Sequence, residues 1–127
     1  MAKNVLIAGS FDVISLREIH LIKEAKKIAL NGGKVFVLLF SDYTTFTITK
    51  CFPVQTLKLR SNNLQYFVNL DNIEIINTAD YKGFLNKFLP NFKDVTYVHY
   101  KIDKDFIGRD VFKEHSIPIK FIKEPIK

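Results

Sequence analysis

Two hydrophobic periods alternate along this chain. Short apolar runs recur at Asn4–Ala8, Lys34–Phe40, Ile73–Ile76, Val95–Tyr100 and Ile117–Ile122. Runs of this length bounded by polar or glycine-containing segments read as strands. Lys34–Phe40 is almost continuously apolar, the pattern of a strand covered on both faces. Between the strands lie segments with helical spacing, at about Leu16–Leu30, Val54–Asn69, Tyr81–Phe88 and Asp105–His115. The first ends at Asn31-Gly32-Gly33, a glycine stop, and the third at Pro90. Thr56 is placed near the start of the second. The polar, threonine-rich stretch from Ser41 to Pro53 reads as a loop.

Strands alternating with helices predict an α/β fold: a doubly wound, Rossmann-like, five-stranded parallel sheet in the order 3-2-1-4-5, with helices on both faces. Sheets of this kind bind ligands beyond the carboxyl ends of the strands, where the strand order reverses, here between the first and fourth strands. Gly9-Ser10-Phe11-Asp12 falls on one side of that crevice and His99-Tyr100-Lys101 on the other. The Ser41–Lys50 segment lies along the same edge.

Composition narrows the picture. With 127 residues, the chain is expected to form a single domain, 1–127. No apolar run is long enough to span a bilayer, and Met-Ala-Lys-Asn leads straight into the first strand without a secretory apolar region. The single cysteine, Cys51, has no partner for an internal disulfide, which suits a reducing compartment; a cytoplasmic location is expected. The net charge of +6 favours anionic partners or simply keeps the surface soluble. The basic residues are scattered among acids, so nucleic acid is not an expected partner.

The stretch Val5–Lys26, VLIAGSFDVISLREIHLIKEAK, carries more chemistry than any other. It resembles the opening βα unit of the nucleotidyltransferase superfamily, and is most similar to that of the small glycerol-3-phosphate cytidylyltransferases, G-T-F-D-x-x-H-x-G-H-x-x-L-L-x-x-A. Gly9, Phe11, Asp12, Leu21, Ile22 and Ala25 fall in register with it. The resemblance implies the fold described above and a nucleotide site in the crevice. The positions of the catalytic H-x-G-H hold Ser15, Leu16, Arg17 and Glu18. In the family the two histidines donate to the triphosphate, and the helix N-terminus adds its own preference for anions. A carboxylate at the second histidine position, about 4 Å from a phosphate charge, would cost roughly 4 kcal/mol at an effective dielectric near 20.

Ser15-Leu16-Arg17-Glu18 is also an S-x-x-E capping box, in which Glu18 reaches back to the Ser15 N–H and fills the anion position with the protein's own carboxylate. This reading is favoured over a surviving phosphate site. His20 falls on a different helix face from the second histidine position. The R-x-x-x-L helix of the family is matched by Arg60 to Leu64, followed by Leu70-Asp71. By resemblance Arg60 contacts nucleotide phosphates; a solvated helical arginine fits the spacing equally well. Lys50 stands where the family often turns a loop lysine toward the phosphates. His99 and Tyr100 replace a Gly-Asp-Asp-like turn near base and sugar, and either stack on a base or pack at the sheet edge. Arg109, at the start of the last helix, is a cation without an assigned role. The family's closing I-S-T-T segment has no counterpart in Lys123–Lys127.

The sequence thus leads to a cytidylyltransferase-like protein that has lost its main catalytic signatures, a pseudoenzyme serving as a nucleotide-binding or interaction module. Two alternatives stand beside it. One is an active nucleotidyltransferase taking CTP and a phosphorylated alcohol, with Mg²⁺ and with Arg17, Lys50 and Arg60 on the phosphates. The other is a nucleic-acid-binding protein. CTP or another nucleotide, and a second copy of the chain or another protein, are the expected partners. Phe46, Phe52, Phe67 and Phe112 are the aromatic candidates for an interface.

Overall fold

In a computed structural model, residues 3–30, 32–92 and 94–125 are described. Asn31 of the glycine stop and Ile126 and Lys127 of the terminal segment lie outside them. Five parallel strands form one sheet in the order β3-β2-β1-β4-β5, as the strand–helix alternation predicts. They are β1 (Asn4–Gly9), β2 (Val35–Phe40), β3 (Ile73–Ile76), β4 (Val95–Tyr100) and β5 (Ile119–Ile122). The helices are α1 (Leu16–Ile28), α2 (Asp42–Thr49), α3 (Leu57–Leu64), α4 (Tyr81–Phe88) and α5 (Arg109–Glu114).

Side chains of neighbouring strand residues point to opposite faces, and β1 divides its apolar residues accordingly. Val5 and Ile7 enter one core cluster with Ile22 and Ala25 of α1 and Leu64 of α3. Leu6 enters the other with Tyr81 and Leu85 of α4 and Val111 and Phe112 of α5. Each face of the sheet therefore has its own helical cover, which is why the central strands read as unbroken apolar runs. Gly33 is required by close approach: a Cβ there would lie 1.9 Å from the Lys3 carbonyl oxygen.

Three segments depart from the sequence reading. The expected Ser41–Pro53 loop contains α2. Its four threonines are poor helix formers, but Ser41 caps the helix by accepting from the Thr44 N–H at 3.1 Å. The Thr44 hydroxyl then donates to the Thr78 carbonyl at 2.8 Å, fastening α2 to the chain beyond β3. The helix expected over Val54–Asn69 is confined to Leu57–Leu64, with Thr56 as its N-cap. The last helix is shorter than Asp105–His115; Gly108 caps it at φ 97°, a conformation that favours glycine, and α5 starts at Arg109. Among the described residues no helix is long and apolar enough to cross a membrane.

Candidate functional site

The crevice between β1 and β4 has two connected arms. The smaller, ≈ 170 Å³, runs from Gly9-Ser10-Phe11 to Arg17 and Glu18 at the start of α1, and to His99 and Tyr100 at the end of β4. The larger, ≈ 530 Å³, opens from the same Gly9, Ser10, Arg17, His99 and Asp103 toward Tyr97, Phe106 and Ile48 of α2. The topology thus brings together the two motifs that the switch-point argument placed on either side.

At the entrance to α1, Glu18 closes on its own helix. Its carboxylate accepts from the Ser15 N–H at 3.0 Å and also from the Ser15 hydroxyl. The reverse arm, from the Glu18 N–H toward Ser15 Oγ, reaches capping-box geometry without making a full hydrogen bond. The position at which the family resemblance puts a phosphate-binding histidine thus holds a carboxylate already bonded to backbone.

Arg17 lines both arms. Its guanidinium sits 4.7 Å above the Tyr100 ring and its Nε lies 3.3 Å from Glu124 Oε1. The Tyr100 hydroxyl donates to the Arg17 carbonyl at 2.5 Å. Burial pushes the Tyr100 phenol up to about 12, partly offset by Arg17, so it remains a donor at neutral pH. His20 stacks near the same Tyr100 ring, and its Nε2 lies 3.2 Å from the Lys123 carbonyl, away from the crevice floor.

His99 is held at both nitrogens, with Nδ1 3.1 Å from the Tyr97 hydroxyl and Nε2 3.1 Å from Asp103 Oδ2. Its ring stacks on Phe106 at 4.0 Å. Burial lowers its pKa below the usual 6.5, against the opposing pull of Asp103 and with help from Arg17. The ring is then neutral at pH 7. Burial also raises the Tyr97 phenol well above its ordinary value, so Tyr97 donates to Nδ1 and the Nε2–H donates to Asp103.

Two residues singled out by resemblance serve the protein's interior. Arg60 is 0% exposed. Its Nη1 donates to the carbonyls of Ser10 at 2.7 Å and Phe40 at 2.6 Å, its Nη2 to Asp42 Oδ1 at 2.6 Å, and its Nε to Gln55 O at 3.2 Å. Four of the five guanidinium N–H groups are used in this way, and Arg60 does not line either arm of the crevice. Asp12 accepts from the Val54 N–H at 2.7 Å and the Gln55 N–H at 2.8 Å, tying the β1 turn to the segment before α3. Phe11 is buried in a left-handed conformation at φ 46°. Lys50 is the exposed left-handed cap of α2, with Nζ on the Thr47 carbonyl at 3.3 Å, and does not line either arm. Arg109 donates to Lys104 O at 2.9 Å and lies over Phe121. Sequence reasoning missed Asp103, Asp105 and Glu124, because no local spacing connects them to the entry motif.

In overall architecture the chain superimposes on solved structures of low sequence identity. Over 100% of its length it matches a lipopolysaccharide core biosynthesis protein from Thermoplasma volcanium, with a TM-score of 0.65, 18% identity and 99% of that chain covered. It also matches a bifunctional NMN adenylyltransferase/ADP-ribose pyrophosphatase from Francisella tularensis, with a TM-score of 0.64 and 16% identity, spanning 39% of that longer chain. The fold is nucleotidyltransferase-like. No protein-family model and no curated protein sequence matches the chain.

The crevice lining carries more carboxylates than cations. Among the described residues lining the two arms, Arg17 is the one lysine or arginine, against the carboxylates of Glu18, Asp103 and Asp105. The net +6 of the chain is carried elsewhere. Among the described residues no three His, Cys, Asp or Glu side chains are grouped to hold a metal ion.

Proposed function

We propose that this is a nucleotidyltransferase-fold domain that has exchanged transfer chemistry for a binding or interaction role. The observation that carries the reading is the Glu18 carboxylate on the Ser15 N–H and hydroxyl at the mouth of α1. Nucleotidyl transfer needs donors and positive charge around the α-phosphate and the departing pyrophosphate. Here an anion occupies that position, His99 is neutral, and Arg17 is paired with Glu124. Arg60, the other arginine that the resemblance assigns to phosphates, is spent on internal carbonyls.

The test is a comparison of the native chain with the triple variant Ser15→His, Arg17→Gly, Glu18→His. Calorimetric titration with Mg·CTP, and with Mg·ATP because of the likeness to an NMN adenylyltransferase, is expected to give no saturable heat with the native chain. The triple variant gains affinity. Release of pyrophosphate from CTP by the native chain in the presence of a phosphorylated alcohol would overturn the reading in favour of an active enzyme.

An interaction role also needs surface. Phe46 and Phe52 are 38% and 66% exposed and stack at 4.5 Å, whereas Phe67 packs against the core and Phe112 is fully buried. Sedimentation of the native chain, with Phe52→Ser as the control, checks whether a second copy covers the Phe46–Phe52 pair.

A further inference from the structure

Glu18 lines the smaller arm of the crevice and not the larger. The larger arm encloses ≈ 530 Å³, a size in the range of small-molecule sites, about 300–1,000 Å³. Phe40, Ile48, Tyr97, Phe106 and Ile107 give it apolar walls. Tyr81 of α4 also lines it, is only 5% exposed, and meets the Phe40 ring edge-on at 5.0 Å. Among the described residues the Tyr81 hydroxyl has no hydrogen-bond partner. Unpartnered side-chain atoms sealed from solvent occur at Gln55 Oε1 and Arg109 Nε; the Tyr81 hydroxyl is not sealed, so it opens on the arm. Buried hydroxyls are ordinarily bonded, and this one faces a cavity instead. Burial also holds the phenol above its ordinary pKa, so it offers a neutral O–H that both donates and accepts.

The other end of the arm is charged. Asp103 uses Oδ2 on His99 Nε2 at 3.1 Å, and Asp105 uses Oδ1 on Arg109 Nη1 at 3.3 Å. Each keeps its second oxygen free of a partner among the described residues, and both side chains are well exposed. His99 is neutral, so its contact does not offset the Asp103 charge. Arg17, the one lysine or arginine lining the arm among the described residues, is engaged by Glu124. An incoming anion meets like charge here. An incoming cation meets two carboxylates, and aromatic faces that attract it further.

We propose that the larger arm is a binding site for a small organic amine without phosphate: a flat apolar body with an ammonium group at one end and a hydrogen-bonding group at the other. The body lies along Phe40 and Phe106, the ammonium faces Asp103 and Asp105, and the far end bonds the Tyr81 hydroxyl. This gives a ligand class to the binding role proposed above and rests on that reading.

The test titrates the native chain with tyramine, which carries an ammonium and a phenol at opposite ends, and follows backbone amide shifts by NMR. Saturable shifts at millimolar or lower concentration, centred on Gly9, His99 and Phe106, are expected. 3-(4-Hydroxyphenyl)propionate, the same body with the charge reversed, should produce none. Asp103→Asn keeps an acceptor for His99 and removes the charge; it should weaken tyramine about three- to ten-fold. Tyr81→Phe deletes only an unbonded hydroxyl, so its thermal unfolding should match the native chain. It should weaken tyramine by a similar factor and leave phenethylamine, which lacks the phenol, unchanged. The site is wrong if the propionate binds as well as tyramine, if both variants bind tyramine like the native chain, or if the folded native chain shows no saturation. Any of these with Mg·CTP also silent leaves the loss of transfer chemistry standing. Release of pyrophosphate from Mg·CTP in the presence of a phosphorylated alcohol would overturn that reading and the amine site with it.

Discussion

Arg60 and Arg17 are the same kind of residue at opposite ends of the burial scale. Arg60 sits in the interior, fully buried, and its guanidinium joins the β1 turn, the end of β2, the first turn of α2 and the segment before α3. Arg17 lies half exposed at the rim, with one carboxylate and one aromatic face for company. A buried charge that organises several backbone carbonyls is costly to disturb, because each carbonyl left behind loses a partner that water cannot replace. A rim charge is cheap to move, and that makes it available for function. The comparison shows that two arginines at positions the resemblance singles out can differ wholly in burial and in partners.

The largest expected effect is at the interior end. Arg60→Ala should destabilise the fold by about 3–5 kcal/mol in urea unfolding. Arg60→Lys should recover little, since one ammonium cannot span the same carbonyls. A cost below about 1 kcal/mol for Arg60→Ala would mean that the interior network does not hold these segments together. Next comes Asp12→Ala, which removes an acceptor from two backbone N–H groups and should cost about 1.5–3 kcal/mol by the same measurement.

His99 lies between the two regions and gives a pH dependence. Its folded pKa is below 6.5, so above that pH the neutral ring is favoured in both folded and unfolded chains and the full stability is present. As pH falls from 6.5 through the lowered folded value, the unfolded chain binds the proton first and stability is lost. Thermal unfolding followed from pH 7.5 to 5 should show this decline, and His99→Gln should flatten it. An unchanged slope would remove His99 as its source. At the rim, Arg17→Ala should change stability by less than about 1 kcal/mol. A larger loss would make Arg17 a second structural brace and erase the contrast with Arg60.

Legibility follows the range of the interaction. The capping box at Ser15 and Glu18 is visible in the sequence because its partners are three residues apart on one helical turn. The buried central strand β2 is visible because burial on both faces leaves a continuous apolar run. α2 is not, because its threonines disfavour a helix locally and are overruled by Ser41 and by the Thr44–Thr78 contact across 34 residues. The fate of Arg60 is equally hidden: its acceptors at Ser10 and Phe40 lie 50 and 20 residues away. Lys50 occupies a loop-like position in the sequence, but the helical end that formed there turned it back on Thr47.

The amino-acid pattern by itself determined the alternation of strands and helices and the closed turn at α1, which depend on local periodicity or on neighbours within one turn. Only the tertiary structure decided the character of the crevice. Asp103 and Asp105 come from chain distant from the Gly9–Glu18 entry, and with Glu18 they outnumber the one arginine that lines it among the described residues. Charge at a site is a sum over whatever the fold brings within a few ångströms. The total of +6 could not reveal that this crevice is the acidic part of a basic protein.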